Sequence, residues 1–310
     1  MYIMKLKPAF KDYLWGGTRL RDEYGLQCDL NPIAEGWMLS CHKDGNSIIE
    51  NGEYAGLTLR QAIEKSDGAI IGTDAKEFAD FPILIKLIDA KQNLSIQVHP
   101  NDDYALQHEH EFGKTEMWYV VDCEEGAYLY YGFKEPITKE QFKAAIDNNT
   151  LTDVLNKVTV TKGDCFFIEA GTVHAIGAGL LIAEIQQNSN TTYRVYDYGR
   201  VGADGKPRAL HTEKALDVTV TAPPTAPVLH DSDSVTSTLA ECKYFTVKKH
   251  KIAGNIELSV DDRSFSSLLC VEGCATVGDV EIKAGECVFI PANYGSVIVS
   301  GNATLLESRV

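Results

Sequence analysis

The sequence predicts an all-β protein, and three observations favour that class. Short apolar runs are broken repeatedly by Gly, Asn, Asp and Pro, a pattern typical of strands joined by turns. Helical signals are few. A turn-and-strand pattern also occurs twice at a constant offset, since residues 163–170 (GDCFFIEA) match residues 285–292 (GECVFIPA). Two related β modules are therefore predicted, in residues 1–225 and 226–310, although β-rich segments can also share such a pattern by chance.

The first strand of functional interest is predicted in residues 81–90, an apolar run with Lys86 near its middle. A cation inside a buried strand needs a specific reason to be there. The next strand signal lies in residues 94–101 (LSIQVHPN). Because side chains alternate between the two faces of a strand, Gln97 and His99 share one side. Two metal-capable side chains are thus predicted to point into one cavity.

Two later segments add further candidate ligands. Residues 112–121 are typical of a loop entering a strand, which places Lys114 and Glu116 on the same face. Residues 162–177 predict a turn, an apolar strand and a second turn that delivers His174; the second copy of the pattern has Ser296 at that position. The set Gln97, His99, Glu116 and His174 offers nitrogen and oxygen donors suited to a borderline divalent ion such as zinc. The alternative is that these four are scattered structural residues.

The helices are predicted to be short and peripheral. Residues 58–63 indicate one, and Thr138 begins another with a capping-box pattern that places Phe142, Ala145 and Ile146 on one face. The Pro- and Thr-rich residues 221–227 are the best linker candidate between the modules.

The composition of the chain limits the kinds of partner that the protein is expected to bind. The net charge of -15 over 310 residues argues against a nucleic-acid partner, because no basic surface is available to neutralise phosphates. No stretch reaches the roughly 20 apolar residues that span a bilayer, so a membrane partner is not expected. The eight cysteines are scattered and follow no signal peptide, which favours reduced thiols in a cytoplasmic protein. Composition indicates no oligomeric state.

Several segments in order resemble the type I mannose-6-phosphate isomerases, zinc enzymes of the cupin superfamily, and in particular their shorter bacterial members. The matching segments are residues 81–86 (FPILIK), 94–101 (LSIQVHPN), 113–118 (GKTEMW), 170–175 (AGTVHA) and 193–197 (YRVYD). The resemblance implies a double-stranded β-helix, the cupin jelly roll, in a bicupin whose second module is degenerate. Residues 35–40 resemble the family's early segment only loosely, so Glu35 and Ser40 receive no role.

Carried over by position, the resemblance also implies a site. The family's metal ligands, for one Zn²⁺ or another divalent ion per chain, fall on Gln97, His99, Glu116 and His174. Its catalytic arginine falls on Arg194, and Lys114 and Lys86 match lysines near the substrate, a hexose 6-phosphate.

Aldose-ketose isomerisation through an enediol requires a base and positive charge for the oxygen anion that develops. Arg194 is predicted to face the enediolate or the phosphate, and Lys114 and Lys86 are predicted to bind the phosphate. Either Glu184 or Lys86 is predicted to move the proton. The structural alternatives are a solvated Lys114, salt bridges at Lys86 and Arg194, and a solvated Glu184. Two other functions share the ligand set: a non-haem iron oxygenase, and a sugar-binding cupin without catalysis.

Overall fold

The computed structural model describes residues 1–202 and 205–310 and consists mainly of β structure. Its strands up to residue 133 are β1 (Met4–Lys7), β2 (Ala9–Lys11), β3 (Glu35–Leu39), β4 (Cys41–His42), β5 (Gly45–Asn46), β6 (Ile48–Ile49), β7 (Ile83–Ala90), β8 (Ile96–Val98), β9 (Glu116–Cys123) and β10 (Tyr128–Phe133). The later strands are β11 (Leu155–Thr159), β12 (Cys165–Ile168), β13 (His174–Ile176), β14 (Leu180–Gln187), β15 (Tyr193–Tyr196), β16 (Thr236–Glu241), β17 (Thr246–Val260), β18 (Ser266–Val277), β19 (Val280–Lys283), β20 (Cys287–Ile290) and β21 (Gly295–Arg309).

The helices are short. They are α1 (Arg19–Asp22), α2 (Leu59–Lys65), α3 (Gly72–Ala75), α4 (Asp102–His108), α5 (Lys139–Asp147), α6 (Leu151–Val154) and α7 (Thr212–Val218). Both predicted helices are confirmed: Thr58 caps α2 and Thr138 caps α5, each in a reciprocal capping box. The buried side chains Phe142, Ala145 and Ile146 of α5 pack against apolar residues of β8, β10 and β15. The other helices, α1, α3, α4, α6 and α7, were not predicted.

Two antiparallel sheets form the barrel of the first module. One has the order β11-β10-β13-β8-β15 and the other β12-β9-β14-β7-β3-β2. Apolar residues of both sheets, such as Leu129 and Ile176 of the first and Ile88 and Phe166 of the second, share one core between them. This arrangement confirms the predicted all-β jelly roll.

Alternation along the strands of the six-stranded sheet creates the polar interior of this barrel. In β7, Ile85 and Leu87 pack in the core behind the sheet, whereas Ile88 packs inside the barrel. Lys86 therefore shares the inner face with Ile88. In β14 the same alternation turns Glu184 inward, directly opposite Lys86 in the ladder.

The second module is built around an eight-stranded sheet with the order β16-β17-β21-β18-β20-β1-β6, with β19 added on β18. Two strands from the beginning of the chain complete it, as Met4 pairs with Phe289. The linker candidate at residues 221–227 lies between α7 and β16 without strand structure. Just after it, Leu229 and Cys165 exchange backbone hydrogen bonds of 2.7 and 3.0 Å. The division at residues 225 and 226 stays a prediction.

The turn-and-strand repeat extends into the strand ladders. The repeated strands β12 and β20 pair with β9 and β18, and through these ladders Ser266 occupies the place of Glu116. The sequence offset puts Ser296 in the place of His174. Hydroxyl groups thus replace two of the four candidate ligands in the second module.

Candidate active site

Three buried side chains meet inside the first barrel. Glu116 begins β9 on one sheet, His174 begins β13 on the facing sheet, and His99 directly follows β8. Each contributes one ligand atom, and these atoms lie within 4.8 Å of one another. Three of the four predicted ligands therefore converge.

Backbone carbonyls fix the orientation of both imidazoles. Nδ1 of His99 donates to the Thr191 carbonyl at 2.8 Å, and Nδ1 of His174 donates to the Thr172 carbonyl at 2.8 Å. Burial lowers the pKa of His174 to about 4 and that of His99 well below its usual value, so both rings are neutral. The Nε2 atoms of the two rings then face each other with lone pairs at 3.2 Å. Two such acceptors repel unless a cation lies between them.

The Glu116 carboxyl group lies at the same point. Its Oε1 lies 3.2 Å from Nε2 of His174 and 3.7 Å from Nε2 of His99. Within residues 1–202 and 205–310, neither carboxylate oxygen accepts a well-formed hydrogen bond, although the Lys114 ammonium lies 2.8 Å from Oε2. Burial and the Glu184 carboxylate raise the pKa of Glu116. A buried carboxylate with two neutral imidazoles fits a divalent cation.

Gln97 lies beside this group. It pairs directly with His174 in the ladder, and its Nε2 lies 3.5 Å from Nε2 of His174. A rotation of the amide by half a turn puts its oxygen at that position. All four predicted ligands are therefore adjacent.

The buried Glu184 joins three donors beside the metal-binding group. It accepts hydrogen bonds from Lys86 at 2.9 Å, from the Trp118 indole at 2.8 Å and from Lys114 at 3.4 Å. Burial opposes ionisation of Glu184, but Lys114 and Lys86 outweigh it and lower its pKa. Burial likewise opposes the charge on Lys86, but Glu184 and Glu35 raise its pKa. These shifts favour the ionised forms of Glu184 and Lys86. Because Glu184 and Lys114 are buried, the solvated alternatives for these two residues are wrong.

Glu35 is a site residue that the sequence did not assign. Its carboxylate accepts a hydrogen bond from the Trp37 indole at 2.7 Å and lies 3.9 Å from the Lys86 ammonium. Trp37 stands directly opposite Lys86 in the ladder between β3 and β7. In the sequence, the only signal that could have marked Glu35 as a site residue was a carboxylate two residues before a Trp in an apolar segment.

A cavity of about 280 Å³ adjoins the ligand group. Its lining residues are Tyr13, Trp15, Glu35, Lys86, Ile88, Leu94, Ser95, Gln97, Lys114, Ile176, Glu184, Asn190, Thr192, Arg194 and Arg208. Arg194 of β15 stands directly opposite Gln97, and its Nε donates to Ser95 Oγ at 3.2 Å. All predicted catalytic side chains thus line one cavity, and Arg208 is an addition.

Two features bear on the predicted location. The eight cysteines are all free thiols. Among the helices of the described residues, none combines the length and the apolar character that crossing a membrane requires.

Two family models match the chain in separate regions. Residues 3–126 match the catalytic domain of type I phosphomannose isomerase, and residues 235–310 match the cupin domain of mannose-6-phosphate isomerase. The first region contains Gln97, His99, Lys114 and Glu116.

Whole-chain relatives agree with these matches. The chain is 38% identical to the mannose-6-phosphate isomerase ManA of Bacillus subtilis (strain 168), with 98% of both chains covered. It is 36% identical to the mannose-6-phosphate isomerase of Streptococcus mutans, with 98% of this chain and 97% of that one covered. The crystal structure of mannose 6-phosphate isomerase from Bacillus subtilis superposes with a TM-score of 0.90 at 34% identity, over 100% of both chains.

Proposed function

The chain belongs to the type I mannose-6-phosphate isomerases, and from this premise we propose that it interconverts mannose 6-phosphate and fructose 6-phosphate in the cavity beside His99, Glu116 and His174. The observation that carries the proposal is the pair of neutral imidazoles whose Nε2 atoms face each other at 3.2 Å next to a buried carboxylate. A cavity lined by lysine and arginine side chains adjoins that group and suits an anionic sugar.

We propose that Gln97, His99, Glu116 and His174 hold one Zn²⁺ per chain. Two imidazole nitrogens, a carboxylate and an amide oxygen form a donor set that zinc accepts, and no thiolate takes part. When bound, the ion supplies a Lewis acid that stabilises negative charge on the sugar oxygens. The carbonyls of Thr172 and Thr191 keep both imidazoles in the tautomer that ligates through Nε2.

Of the two candidates for proton transfer, Glu184 is the stronger. The reaction removes a proton from C2 of the aldose and returns one to C1. The raised pKa of Lys86 keeps its ammonium protonated, and an ammonium has no lone pair with which to accept a proton. Glu184 is ionised and lines the cavity. It therefore accepts the proton in our proposal, while Lys86 fixes the position of its carboxylate.

We propose roles for the two lysines other than the phosphate contact that the sequence-based prediction gave them. Lys86 and Lys114 already face Glu184, Glu116 and Glu35, so little of their charge is left for a dianionic phosphate. We assign Lys114 to the sugar oxygens on which negative charge develops. Arg194 lies across the cavity on the facing sheet and adds a fixed cation.

The remaining parts of the proposal concern organisation and location. Residues 1–225 form the catalytic unit, and residues 226–310 form a second cupin unit that lacks the ligands. The free thiols support a reducing, cytoplasmic location.

Two other functions are less well supported. For a non-haem iron oxygenase, a fourth amide ligand would occupy a position that oxygen and co-substrate need. A cupin that only binds sugar has no need of the buried Lys86, Lys114 and Glu184 beside its metal. The relatives named above are isomerases.

A coupled assay tests the function. Purified protein supplied with zinc is incubated with mannose 6-phosphate, and the fructose 6-phosphate that forms is measured; glucose 6-phosphate and unphosphorylated mannose serve as comparison substrates. We expect turnover in both directions with mannose 6-phosphate preferred. Absence of turnover in zinc-supplied, folded protein would overturn the proposal.

A further inference from the structure

One side chain of the second module reaches the segments that carry the metal-binding residues. Tyr244 lies in the turn between β16 and β17, and its hydroxyl donates to Oδ2 of Asp102 at 2.8 Å. The next residue, Phe245, is fully buried in the core that both modules share, and it anchors this turn. Burial and the Asp102 carboxylate raise the pKa of Tyr244, so the hydroxyl keeps its proton and remains a donor.

Asp102 joins two stretches of the first module. It is the first residue of α4 and lies three positions after His99. Its Oδ1 accepts from the backbone N–H of Gly113 at 2.9 Å and from Nε2 of Gln187 at 2.9 Å. Gly113 suits this close approach, because a Cβ there would lie 2.4 Å from the carbonyl carbon of Asn101. Asp102 therefore holds the loop before β9 against the segment that follows His99.

Gln187 connects Asp102 to the backbone between Lys114 and Glu116. Its Oε1 accepts from the Thr115 N–H at 2.8 Å, and its own backbone N–H donates to the Thr115 carbonyl at 3.0 Å. The side-chain amide has one orientation that satisfies both partners, since the Thr115 N–H requires an acceptor and the Asp102 carboxylate requires a donor. Both backbone groups of Thr115 are thereby fixed, and with them the strand entry from which Lys114 and Glu116 project.

The side chains on either side of Thr115 belong to a closely spaced site. The Lys114 ammonium lies 2.8 Å from Oε2 of Glu116, and Oε1 of Glu116 lies 3.2 Å from Nε2 of His174. Functional geometry at such sites depends on displacements of about 0.5 Å. A loosened strand entry would therefore disturb the metal-binding group and the cation beside it together.

A cavity of about 490 Å³ borders this chain of hydrogen bonds, and Tyr244, Asp102 and Gln187 all line it. The space admits water, which can donate to Asp102 in place of the tyrosine hydroxyl. Loss of that hydroxyl should therefore cost little stability, although it removes the fixed link to the second module. Positioning and folding can thus be measured separately.

We propose that Tyr244 of the second module is a positioning residue of the active site, and that it acts through Asp102 and Gln187 on the backbone that carries Lys114 and Glu116. The inference rests on the proposed function, because it takes Glu116 as a metal ligand and Lys114 as a contact of the sugar oxygens. It also gives the second module a part in the isomerase reaction.

The first test compares the zinc affinity of Tyr244→Phe with that of Tyr2→Phe, measured by competition with a chromophoric chelator. Tyr2 is the matched control, because its ring also packs against the shared core and its hydroxyl likewise bonds another segment, accepting from the Tyr54 N–H at 2.7 Å. Partners that directly hold a metal ligand contribute about 10–100-fold to affinity. Tyr244 acts at one further remove, so Tyr244→Phe should weaken zinc binding at least fivefold, and Tyr2→Phe less than twofold.

Kinetics at saturating zinc test the effect on Lys114. In Tyr244→Phe, kcat for mannose 6-phosphate should fall at least fivefold while KM stays within twofold, because Lys114 contacts charge that develops only in the transition state. Tyr2→Phe should keep both constants. The visible absorption of cobalt-substituted protein should shift in Tyr244→Phe and stay unchanged in Tyr2→Phe, since it reports the arrangement of the ligands.

Variants of Asp102 test the route between Tyr244 and the site. Asp102→Ala should weaken zinc binding about tenfold. Tyr244→Phe should have no further effect in that background, because its hydroxyl no longer has a carboxylate to hold. Asp102→Asn should restore part of the affinity, since its amide can accept from Gly113 and donate to the Tyr244 oxygen.

Thermal unfolding and circular dichroism check that each variant is folded. A Tyr244→Phe protein with the zinc affinity and kcat of Tyr2→Phe would overturn the inference, and so would full additivity of Tyr244→Phe with Asp102→Ala. Either result in an active, zinc-binding wild-type enzyme leaves the isomerase function standing. Absence of zinc binding and turnover in the wild-type protein would instead overturn the proposed function and this inference with it.

Discussion

Replacing Glu184 with Gln perturbs the buried charges beside the metal site with almost no change in shape. Glu184 accepts hydrogen bonds from Lys86 at 2.9 Å and from Trp118 at 2.8 Å, and Lys114 lies 3.4 Å away. Gln keeps an acceptor for one donor but removes the charge that compensates two buried ammonium groups. Breaking a buried ion pair by removing one partner costs about 3–5 kcal/mol.

That free energy should be visible as a fall in Tm on the order of 10 °C, since 1 kcal/mol shifts Tm by roughly 2–4 °C in domains of about 150–250 residues. Thermal unfolding is followed in the presence of a chelator, so that a change in metal affinity does not contribute. Glu125→Gln is the matched control, because Glu125 is exposed in the turn between β9 and β10. It should leave Tm unchanged.

A double variant tests the cause of the loss. Lys86→Met combined with Glu184→Leu removes both charges of the pair, so it should be less destabilised than the sum of the single variants predicts. An unchanged Tm in Glu184→Gln, or strict additivity in the double variant, would refute the reasoning that the buried charges depend on each other.

Three further predictions concern the ligands, the cavity and the second module. His174→Ala should bind less than a tenth of an equivalent of zinc after dialysis; wild-type occupancy in this variant would contradict its role as a ligand. Arg194→Ala should keep its zinc, and its kcat/KM in the coupled assay should fall at least a hundredfold. Unchanged turnover in this variant would contradict a catalytic role for Arg194. Glu307→Gln should lower the free energy of unfolding by about 3 kcal/mol at pH 7 but by less at pH 3. The reason is that His250 at 2.9 Å and Arg309 at 2.6 Å lower the pKa of Glu307 to about 2, although burial opposes this shift. The folded-state pKa is lowered, so the contribution is present above the unfolded value near 4.5 and is lost as pH falls towards 2; equal unfolding free energies of variant and wild type at pH 7 would contradict it.

The parts of the site that depend on strand alternation could be predicted from the sequence. A period of two fixes the relative direction of side chains two residues apart, and this is enough to place Lys114 beside Glu116, whose charged atoms lie 2.8 Å apart. The sequence marked Lys86 as an unusual cation inside an apolar strand, and the structure places Glu184 opposite it in the ladder. Convergence of the four metal-binding candidates came from the family resemblance, because periodicity does not tell which strands face each other.

Long-range contacts account for what the sequence did not predict. Strand β1 joins the sheet of the second module through Met4 and Phe289, and no local signal predicts a pairing so distant along the chain. Arg208 lies outside regular structure and reaches the cavity through its contact with Asp197, which periodicity cannot indicate. The position of Glu35 in the site likewise depends on a long-range contact, because the ladder between β3 and β7 places its hydrogen-bond partner Trp37 opposite Lys86.

Titration of activity with metal tests the central claim most directly, namely that one divalent ion bound by the His99, Glu116 and His174 group is required for isomerisation. Chelator-treated protein is titrated with zinc while bound metal and turnover of mannose 6-phosphate are measured on the same samples. We predict that activity rises from near zero in proportion to bound zinc and reaches a plateau at one equivalent per chain. Full turnover in protein that retains less than a tenth of an equivalent of any divalent metal would contradict the claim.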